Sequence, residues 1–261
     1  MREQGQGARG PETESLRGRV VLVTGSGCGL GAALVLAAAE RKARVVVNCR
    51  TNARRADLLG QEIQKRGGEA LVCRADVSDH AQASALVAET VRVFGRVDVL
   101  VNAVGAFAWK PVADTSPEEW RALMASNLDS VYHMSRLVLP AMRQNHWGRI
   151  VNLGAVGAER TDAQPKVAAY AAAKAAVVAF SKALALEEAR SGITVNVVSP
   201  GVLADGDDGR AGVENAYAED RIPVGRSGSP EDLVRAVLFF CSPAADFVTG
   251  QVLAVAGGWR L

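Results

Sequence analysis

Short runs of consecutive apolar and β-branched residues alternate along the chain with longer helix-like segments. The runs lie at 20–24, 44–48, 70–75, 97–102, 149–153, 194–199 and 252–255. Because most of them are apolar at successive positions, they suit a sheet that is covered on both faces. Capping boxes with proline at the first helical position begin at Ser116 and Ser229. The pattern predicts an α/β fold: a single-domain, Rossmann-type doubly wound parallel sheet of about seven strands flanked by helices.

The composition restricts the possible partners. Of the 261 residues, 49% are hydrophobic and 22% are charged, which excludes disorder along the whole chain. Lysine and arginine number 30 against 28 acidic residues, giving a net charge of +2. That charge is too small to make nucleic acid or an anionic membrane the main partner. Apolar runs such as 32–39 end well before the roughly 18 residues of a membrane span, so we expect a soluble, cytoplasmic protein.

The cysteines indicate neither a metal site nor a disulfide framework. Cys28, Cys49, Cys73 and Cys241 are widely spaced, with no CxxC pair and no neighbouring histidines. We expect buried thiols, in keeping with a reducing compartment, and no bound metal.

Two segments interrupt the alternation. Residues 1–18 hold several glycines and a proline among charges; we interpret them as a flexible leader, with a linker remnant as one explanation, and assign the domain to 19–261. Residues 204–221 are rich in acidic residues and glycine and follow a strand. Because open α/β sheets bind ligands at the carboxyl ends of their strands, this stretch is a candidate substrate lid; an ordinary surface loop is the alternative.

A glycine-rich turn connects the first predicted strand to an Ala- and Leu-rich helix. Glycines let backbone amides approach a phosphate, and the helix directs its positive end at the anion. A flexible turn is the alternative, but the flanking strand and helix supply the context that a dinucleotide site requires. The predicted cofactor contacts are Thr24, Gly25, Ser26, Cys28, Gly29, Leu30 and Gly31.

The residues after the second strand bear on the choice of cofactor. NAD-selective sites commonly place an acidic residue there, whereas this chain has Arg50 and no acid. A guanidinium can bind the 2′-phosphate of NADP with paired donors. We therefore expect NADP(H), the alternative being that Arg50 is a solvated loop charge.

A possible acid–base pair lies in an alanine-rich segment that favours helix. Tyr170 and Lys174 are four residues apart, so they share one helix face. A nearby ammonium favours the phenolate and lowers the pKa of a tyrosine from about 10. Such a phenol could donate a proton to a carbonyl oxygen.

Together these motifs resemble the short-chain dehydrogenase/reductase family over nearly the whole chain after the leader. Residues 24–31 match its TGxxxGxG turn, Tyr170 and Lys174 match its YxxxK, and 248–251 with 257–259 match its closing segment. Asp76 and Val77 match the family's adenine-contacting pair, and Asn102 and Gly105 match its motif after the fourth strand. Asn127 matches the catalytic asparagine, and Pro200, Gly201 and Val202 match the turn beside the nicotinamide.

The resemblance implies roles for the matched residues. Tyr170 would be the general acid, Lys174 would bind the nicotinamide ribose and tune Tyr170, and Asn127 would hold a water in the proton relay. It also implies a homo-oligomer, either a tetramer or a dimer.

The chain departs from the family pattern where a catalytic serine is usual. Counting from Asn152 places Ala155 there, and counting back from Tyr170 places Gly157 there. Loss of one donor to a developing oxyanion costs roughly 100- to 1,000-fold in rate. Water, Thr161, Asp162 or a hydroxyl of the substrate could fill the gap.

The substrate is inferred from features instead of a motif. Leu186 stands where reductases of acyl-carrier-protein substrates often have arginine, and the 204–221 stretch is acidic, so attraction to an acidic carrier is poor. We expect a bulky cyclic or aromatic ketone of the polyketide type, such as those of antibiotic biosynthesis. Besides positions 155, 157 and 202, candidate pocket residues are Phe107, Trp109 and Gln164. The alternatives are a 3-oxoacyl-carrier-protein reductase and a catalytically silent NADPH-binding protein.

Overall fold

The computed structural model describes residues 16–162, 164–204 and 219–260. Most of the predicted leader and the stretch 205–218 of the predicted lid lie outside the described residues. Seven strands form one parallel sheet in the order β3-β2-β1-β4-β5-β6-β7. They are β1 (Val20–Val23), β2 (Arg44–Cys49), β3 (Glu69–Arg74), β4 (Val99–Asn102), β5 (Gly148–Leu153), β6 (Ile193–Pro200) and β7 (Val252–Val255).

Within the described ranges, seven α-helices connect and cover the strands. They are α1 (Gly29–Glu40), α2 (Ala53–Lys65), α3 (His80–Phe94), α4 (Pro117–Met124), α5 (Ser130–Gln144), α6 (Ala168–Glu188) and α7 (Pro230–Cys241). Both expected capping boxes are present, at the starts of α4 and α7. The predicted doubly wound parallel sheet is therefore confirmed.

Two apolar layers cover the sheet. On one face, α1, α2 and α7 contribute side chains such as Leu34, Ile63 and Val237 to a buried cluster. On the other face, Met134 of α5 and Leu184 of α6 pack over the sheet with α3. Burial on both faces explains why the strands are apolar at successive positions.

The strand order reverses at β1, because β2 pairs with one edge of β1 and β4 pairs with the other. Helices on opposite faces separate at such a point and leave a crevice at the carboxyl ends of the strands, where open α/β sheets bind ligands. The glycine-rich turn after β1 and the Asn102–Gly105 segment after β4 both lie at this edge.

By length and composition alone, one helix among the described residues could cross a membrane. It is α6 with its short extension, Ala168–Ser191, and 44% of its most apolar window is buried within the protein. Its residues Val177, Val178 and Leu184 are buried, as in the core helix of an α/β protein.

The expectation of buried thiols is wrong for half of the cysteines. Cys49 and Cys241 are buried, but Cys28 is exposed and Cys73 is half-buried. Cys28 precedes the first residue of α1 in the glycine-rich turn, where close packing would obstruct a ligand. Among the described residues, no group of three or more His, Cys, Asp or Glu side chains could hold a metal ion.

Candidate active site

The glycine-rich turn is shaped for close backbone approach. Gly25 and Gly29 have left-handed φ angles of +66° and +54°, which favour glycine. A Cβ on Gly31 would lie 2.6 Å from the carbonyl oxygen of Gly25. No side chain caps α1, whose first turn also lacks acidic residues. The amide groups at the start of α1 are thus available to an anion such as a pyrophosphate.

Buried side chains hold this turn in place. Asn48, which is 1% exposed, accepts a hydrogen bond from Gly25 N (3.0 Å) and donates to Ala75 O (3.1 Å). The Ser26 hydroxyl donates to Val23 O at 2.7 Å, and Thr24 Oγ1 accepts from Ala103 N at 2.9 Å. The turn is therefore anchored to the strands around it before any ligand binds.

Arg50 lies at the end of β2, and its exposed guanidinium is 3.4 Å from Asp76. Partial burial works to raise the pKa of Asp76, but hydrogen bonds from Ser78 and the charge of Arg50 outweigh it and lower that pKa. Arg55 lines a groove of about 350 Å³ with Gly27 and Cys28. Two arginines thus lie beside the turn, at the end where a 2′-phosphate would bind.

Asn127 lies in a single turn of π-helix, Ala125–Asp129, between α4 and α5. Its Nδ2 donates to Ala106 O (2.9 Å) and Leu123 O (3.0 Å). Its buried Oδ1 has no hydrogen-bond partner among the described residues. A Cβ on Gly105 would lie 2.5 Å from that oxygen and 3.2 Å from Lys174 Nζ. Glycine at 105 thus allows the amide and the ammonium to converge.

Tyr170 and Lys174 both lie on α6, one turn apart. Lys174 is 4% exposed, and its Nζ donates to Leu153 O at 2.7 Å. Burial lowers the pKa of Lys174 from 10.5 to about 8. Its Nζ lies 5.8 Å from the centre of the half-buried Tyr170 ring, against which Phe107 packs edge-on at 5.1 Å between centroids.

A pocket of about 360 Å³ opens above this pair. Of the predicted site residues, the substrate residues Phe107, Ala155, Gly157 and Gln164 line it, together with the catalytic and cofactor residues Tyr170, Lys174, Pro200 and Gly201. Trp109 and Val202 are not among the described residues that line it. The cavity thus brings together Tyr170, Lys174 and most of the predicted substrate residues, whereas Asn127 and the residues of the glycine-rich turn lie outside its described lining.

The two positions expected to carry a serine offer no side-chain donor to the pocket. Gly157 has a left-handed φ of +84°, and a Cβ there would lie 2.7 Å from Asp162 Oδ2. Ala155 and Asp162 both line the cavity. The carboxylate of Asp162 therefore occupies the space that a side chain at 157 would need.

Comparison with known proteins identifies the family. The sequence family described as "Enoyl-(Acyl carrier protein) reductase" matches residues 25–260. The 7α-hydroxysteroid dehydrogenase of Escherichia coli K12 is 34% identical over 247 residues, covering 93% of this chain and 94% of that protein. The 3-oxoacyl-(acyl-carrier-protein) reductase of Haemophilus influenzae is 36% identical over 252 residues, covering 94% of this chain and 100% of that protein.

The chain belongs to the short-chain dehydrogenase/reductase family. Among solved structures, a gluconate 5-dehydrogenase from Burkholderia cenocepacia, in complex with NADP and tartrate, has a TM-score of 0.88 and 35% identity. The match covers 95% of this chain and 97% of that one. The family and fold predicted from the motifs are confirmed, and this short-chain dehydrogenase/reductase is an oxidoreductase of an NAD(P)-dependent family. The prediction of NADP(H) agrees with the cofactor held by the Burkholderia neighbour.

The structure adds lining residues to those predicted, and one of them, Trp259, belongs to the matched closing segment. Trp259 and Arg260 line the pocket from the far end of the chain, and Arg55 lines the groove beside the turn. Arg55 could be predicted as a cofactor contact, because it follows the second strand closely in the sequence. No local pattern indicates that residue 260 contacts the segment before α6 in this short-chain dehydrogenase/reductase.

Proposed function

We propose that this protein reduces a ketone to a secondary alcohol with NADPH. The observation that carries the proposal is that Tyr170 and Lys174 line one pocket, while the Asn127 amide and Lys174 Nζ converge around Gly105. A protein that only binds a dinucleotide has no need of a phenol beside a buried lysine. The same convergence disfavours the catalytically silent alternative.

The residues present fit a nicotinamide dinucleotide. The turn from Thr24 to Gly31 would hold the pyrophosphate, Asp76 and Val77 the adenine, and Lys174 the nicotinamide ribose, while Asn102, Gly105 and Pro200–Val202 would form the rest of the cleft. The fit rests on the close approach permitted at Gly31 and on the unpartnered Oδ1 atoms of Asn102 and Asn127. When bound, NADPH supplies the hydride that the carbonyl carbon receives.

The chain itself manages the proton. The Tyr170 hydroxyl donates its proton to the carbonyl oxygen as the charge on that oxygen develops. Lys174, charged and held by Leu153 O, stabilises the phenolate that remains. Asn127 Oδ1, which accepts no hydrogen bond from any described residue, converges with the lysine around Gly105 and is suited to hold a water through which Tyr170 is reprotonated.

The preference for NADPH over NADH is proposed from Arg50. Its guanidinium is exposed and only loosely paired with Asp76, at 3.4 Å, so donors remain for a phosphate. Arg55 offers a second cation nearby. No carboxylate follows β2 at the position where NAD-selective sites carry one.

The substrate proposed is a bulky cyclic or aromatic ketone of the polyketide type. Phe107, Val167 and Trp259 give the pocket apolar walls, and aromatic surfaces suit flat rings. Relatives that reduce 3-oxoacyl groups on carrier proteins support the second candidate equally. Exposed Leu186, in place of a cation, disfavours docking of an acidic carrier.

Consumption of NADPH tests the function, measured against a panel of quinone-like, polyketide and 3-oxoacyl ketones. We expect turnover that Tyr170→Phe reduces at least about 100-fold, as expected for loss of a general acid. Tyr132→Phe, which removes the hydroxyl of an exposed tyrosine on α5, is the matched control and retains turnover. Turnover that survives in Tyr170→Phe excludes the proposed acid. No turnover by the wild type, together with NADPH binding in calorimetry, favours the silent alternative.

We further propose a homo-oligomer, a tetramer or a dimer, in the cytoplasm. Members of the family are usually oligomeric, and Phe247 is fully exposed with Phe239 and Leu253 also exposed. Large apolar side chains at a surface often mark contacts between subunits. Sedimentation of the purified protein distinguishes dimer, tetramer and monomer, and a monomer contradicts the proposal.

A further inference from the structure

The pocket has a polar end, formed by segments far apart in sequence and bordered by the Trp259 ring, whose centre is 5.6 Å from the Arg260 guanidinium carbon. Arg260 lies against the segment before α6, and its Nη1 donates to Gln164 Oε1 at 2.9 Å. Asp162 also lines this end, with its Oδ2 3.7 Å from Arg260 Nη2. The roles assigned to Tyr170, Lys174 and Asn127 use none of these three side chains.

The hydrogen bond between Arg260 and Gln164 orients the Gln164 amide. A guanidinium only donates, so the Gln164 atom that it contacts is the carbonyl oxygen. The Gln164 Nε2 group therefore keeps both of its donors, and no described residue accepts a hydrogen bond from it. Arg260, whose side chain is 22% exposed, likewise keeps N–H groups beyond the one that Gln164 accepts.

The charges at this end favour an anion. Asp162 pairs mainly with Arg160, through contacts of 2.8 Å and 3.4 Å, and the hydrogen bond from Arg160 lowers the pKa of Asp162. Arg160 does not line the cavity, and it also pairs with Glu159 at 3.3 Å. Arg260 is thus a second and looser partner of Asp162.

Among the described residues around the pocket, the three cations Arg160, Arg260 and Lys174 face the two anions Glu159 and Asp162. The excess positive charge lies on the side chains that line the cavity. Two neighbouring donor groups with net positive charge match the two oxygens of a carboxylate.

We propose that Arg260 and Gln164 form a carboxylate subsite, so that the preferred substrate is a ketone that also carries a carboxylate. This inference rests on the proposed ketone reduction, because it places the ketone at Tyr170 and the carboxylate at the polar end of the same pocket. It makes Arg260 a specificity-determining residue with no part in the proton transfer.

The test compares cyclic and aromatic keto acids with their methyl esters, for example the acetylbenzoates, by kcat/KM with NADPH. The wild type should prefer each acid to its ester. Arg260→Gln should reduce that preference about 10- to 100-fold, the range for a hydrogen bond to a charged group, mainly through KM. Asp162→Asn removes the competing carboxylate and should increase the preference. Lys166→Gln removes an exposed cation two residues after Gln164 that does not line the pocket, and should leave the preference within about twofold.

An acid preference that is absent in the wild type, or unchanged in Arg260→Gln, overturns the subsite. Failure of the proposed function is distinguished by calorimetry with Tyr170→Phe, which measures binding without turnover. If that protein binds the acids more tightly than the esters, and Arg260→Gln removes the difference, the subsite stands even where no ketone is reduced. If Tyr170→Phe binds each acid and its ester equally tightly, the carboxylate subsite is overturned.

Discussion

Replacing Lys174 by methionine should stabilise the folded protein at neutral pH while reducing catalysis. Burial lowers the pKa of this lysine from 10.5 to about 8, because the charged form loses its hydration. At roughly 1.4 kcal/mol per pKa unit, holding the ammonium in the folded protein costs about 3 kcal/mol at pH 7. Methionine removes this cost but also the hydrogen bond to Leu153 O, worth about 1 kcal/mol. The expected net gain in the free energy of unfolding is about 2 kcal/mol.

The gain should depend on pH in a definite direction. Between pH about 8 and 10.5, the unfolded chain keeps the proton on Lys174 and the folded chain releases it. The wild type therefore gains stability as the pH rises through this window, and Lys174→Met does not gain it. By pH 9.5, the difference in the free energy of unfolding between the wild type and Lys174→Met should therefore be smaller by about 2 kcal/mol. Cys73, whose pKa burial raises to about 11, titrates alike in both proteins and cancels.

Urea denaturation followed by circular dichroism, at pH 7 and pH 9.5, measures this difference, provided that the m-values agree. Lys182→Met is the matched control, because Lys182 is exposed two turns along the same helix. Its effect on stability should be small at both pH values. If Lys174→Met and the wild type differ by the same free energy at pH 7 and pH 9.5, burial does not depress the pKa of Lys174 and the reasoning is refuted.

Three further predictions concern the cofactor end of the site. Arg50→Ala should lower the ratio of kcat/KM for NADPH to that for NADH about tenfold or more, whereas Arg54→Ala should not; an unchanged ratio in Arg50→Ala would show that another group binds the phosphate. Gly31→Ala should weaken NADPH binding in calorimetry by about tenfold or more, because its Cβ would lie 2.6 Å from Gly25 O; affinity equal to that of the wild type contradicts the close approach. Asn48→Ala removes a buried amide that bonds to the turn and to β3, and should cost about 2 to 3 kcal/mol in urea denaturation; a loss under about 1 kcal/mol would mean that water replaces the amide.

Local patterns predicted the parts of this protein that local physics determines. The seven apolar runs became the seven strands, and proline with acidic residues after Ser116 and Ser229 became capping boxes. A spacing of four in an alanine-rich segment placed Tyr170 and Lys174 on one helix. These features depend on neighbours within a few residues, which the sequence displays directly.

Features that depend on packing between distant segments were not accessible in this way. The fourth strand begins at Val99, two residues later than its apolar run suggests. Trp109 lies outside the lining of the pocket, and Arg260 lies inside it. The contact between Arg260 and Gln164 joins segments 96 residues apart, and no periodicity reports such a distance. The charge of the substrate is therefore suggested only by the folded chain.

The π-helical turn at Asn127 limits which deletions and which side-chain substitutions this site can tolerate. A π-helical turn is equivalent to one extra residue inserted into an α-helix, so deleting one residue from Ala125–Asp129 would restore regular winding and rotate α5 relative to α4. The Asn127 amide also binds within this turn, since it donates to the carbonyl of Leu123, together with the Ser126 hydroxyl, while its oxygen and Lys174 Nζ converge around Gly105. An ionised aspartate could serve as the acceptor but not as the donor. Position 127 therefore requires an amide, because only an amide supplies both the donor and the acceptor. The turn also requires all five of its residues, so a change in length and a change in side chain would have to occur together.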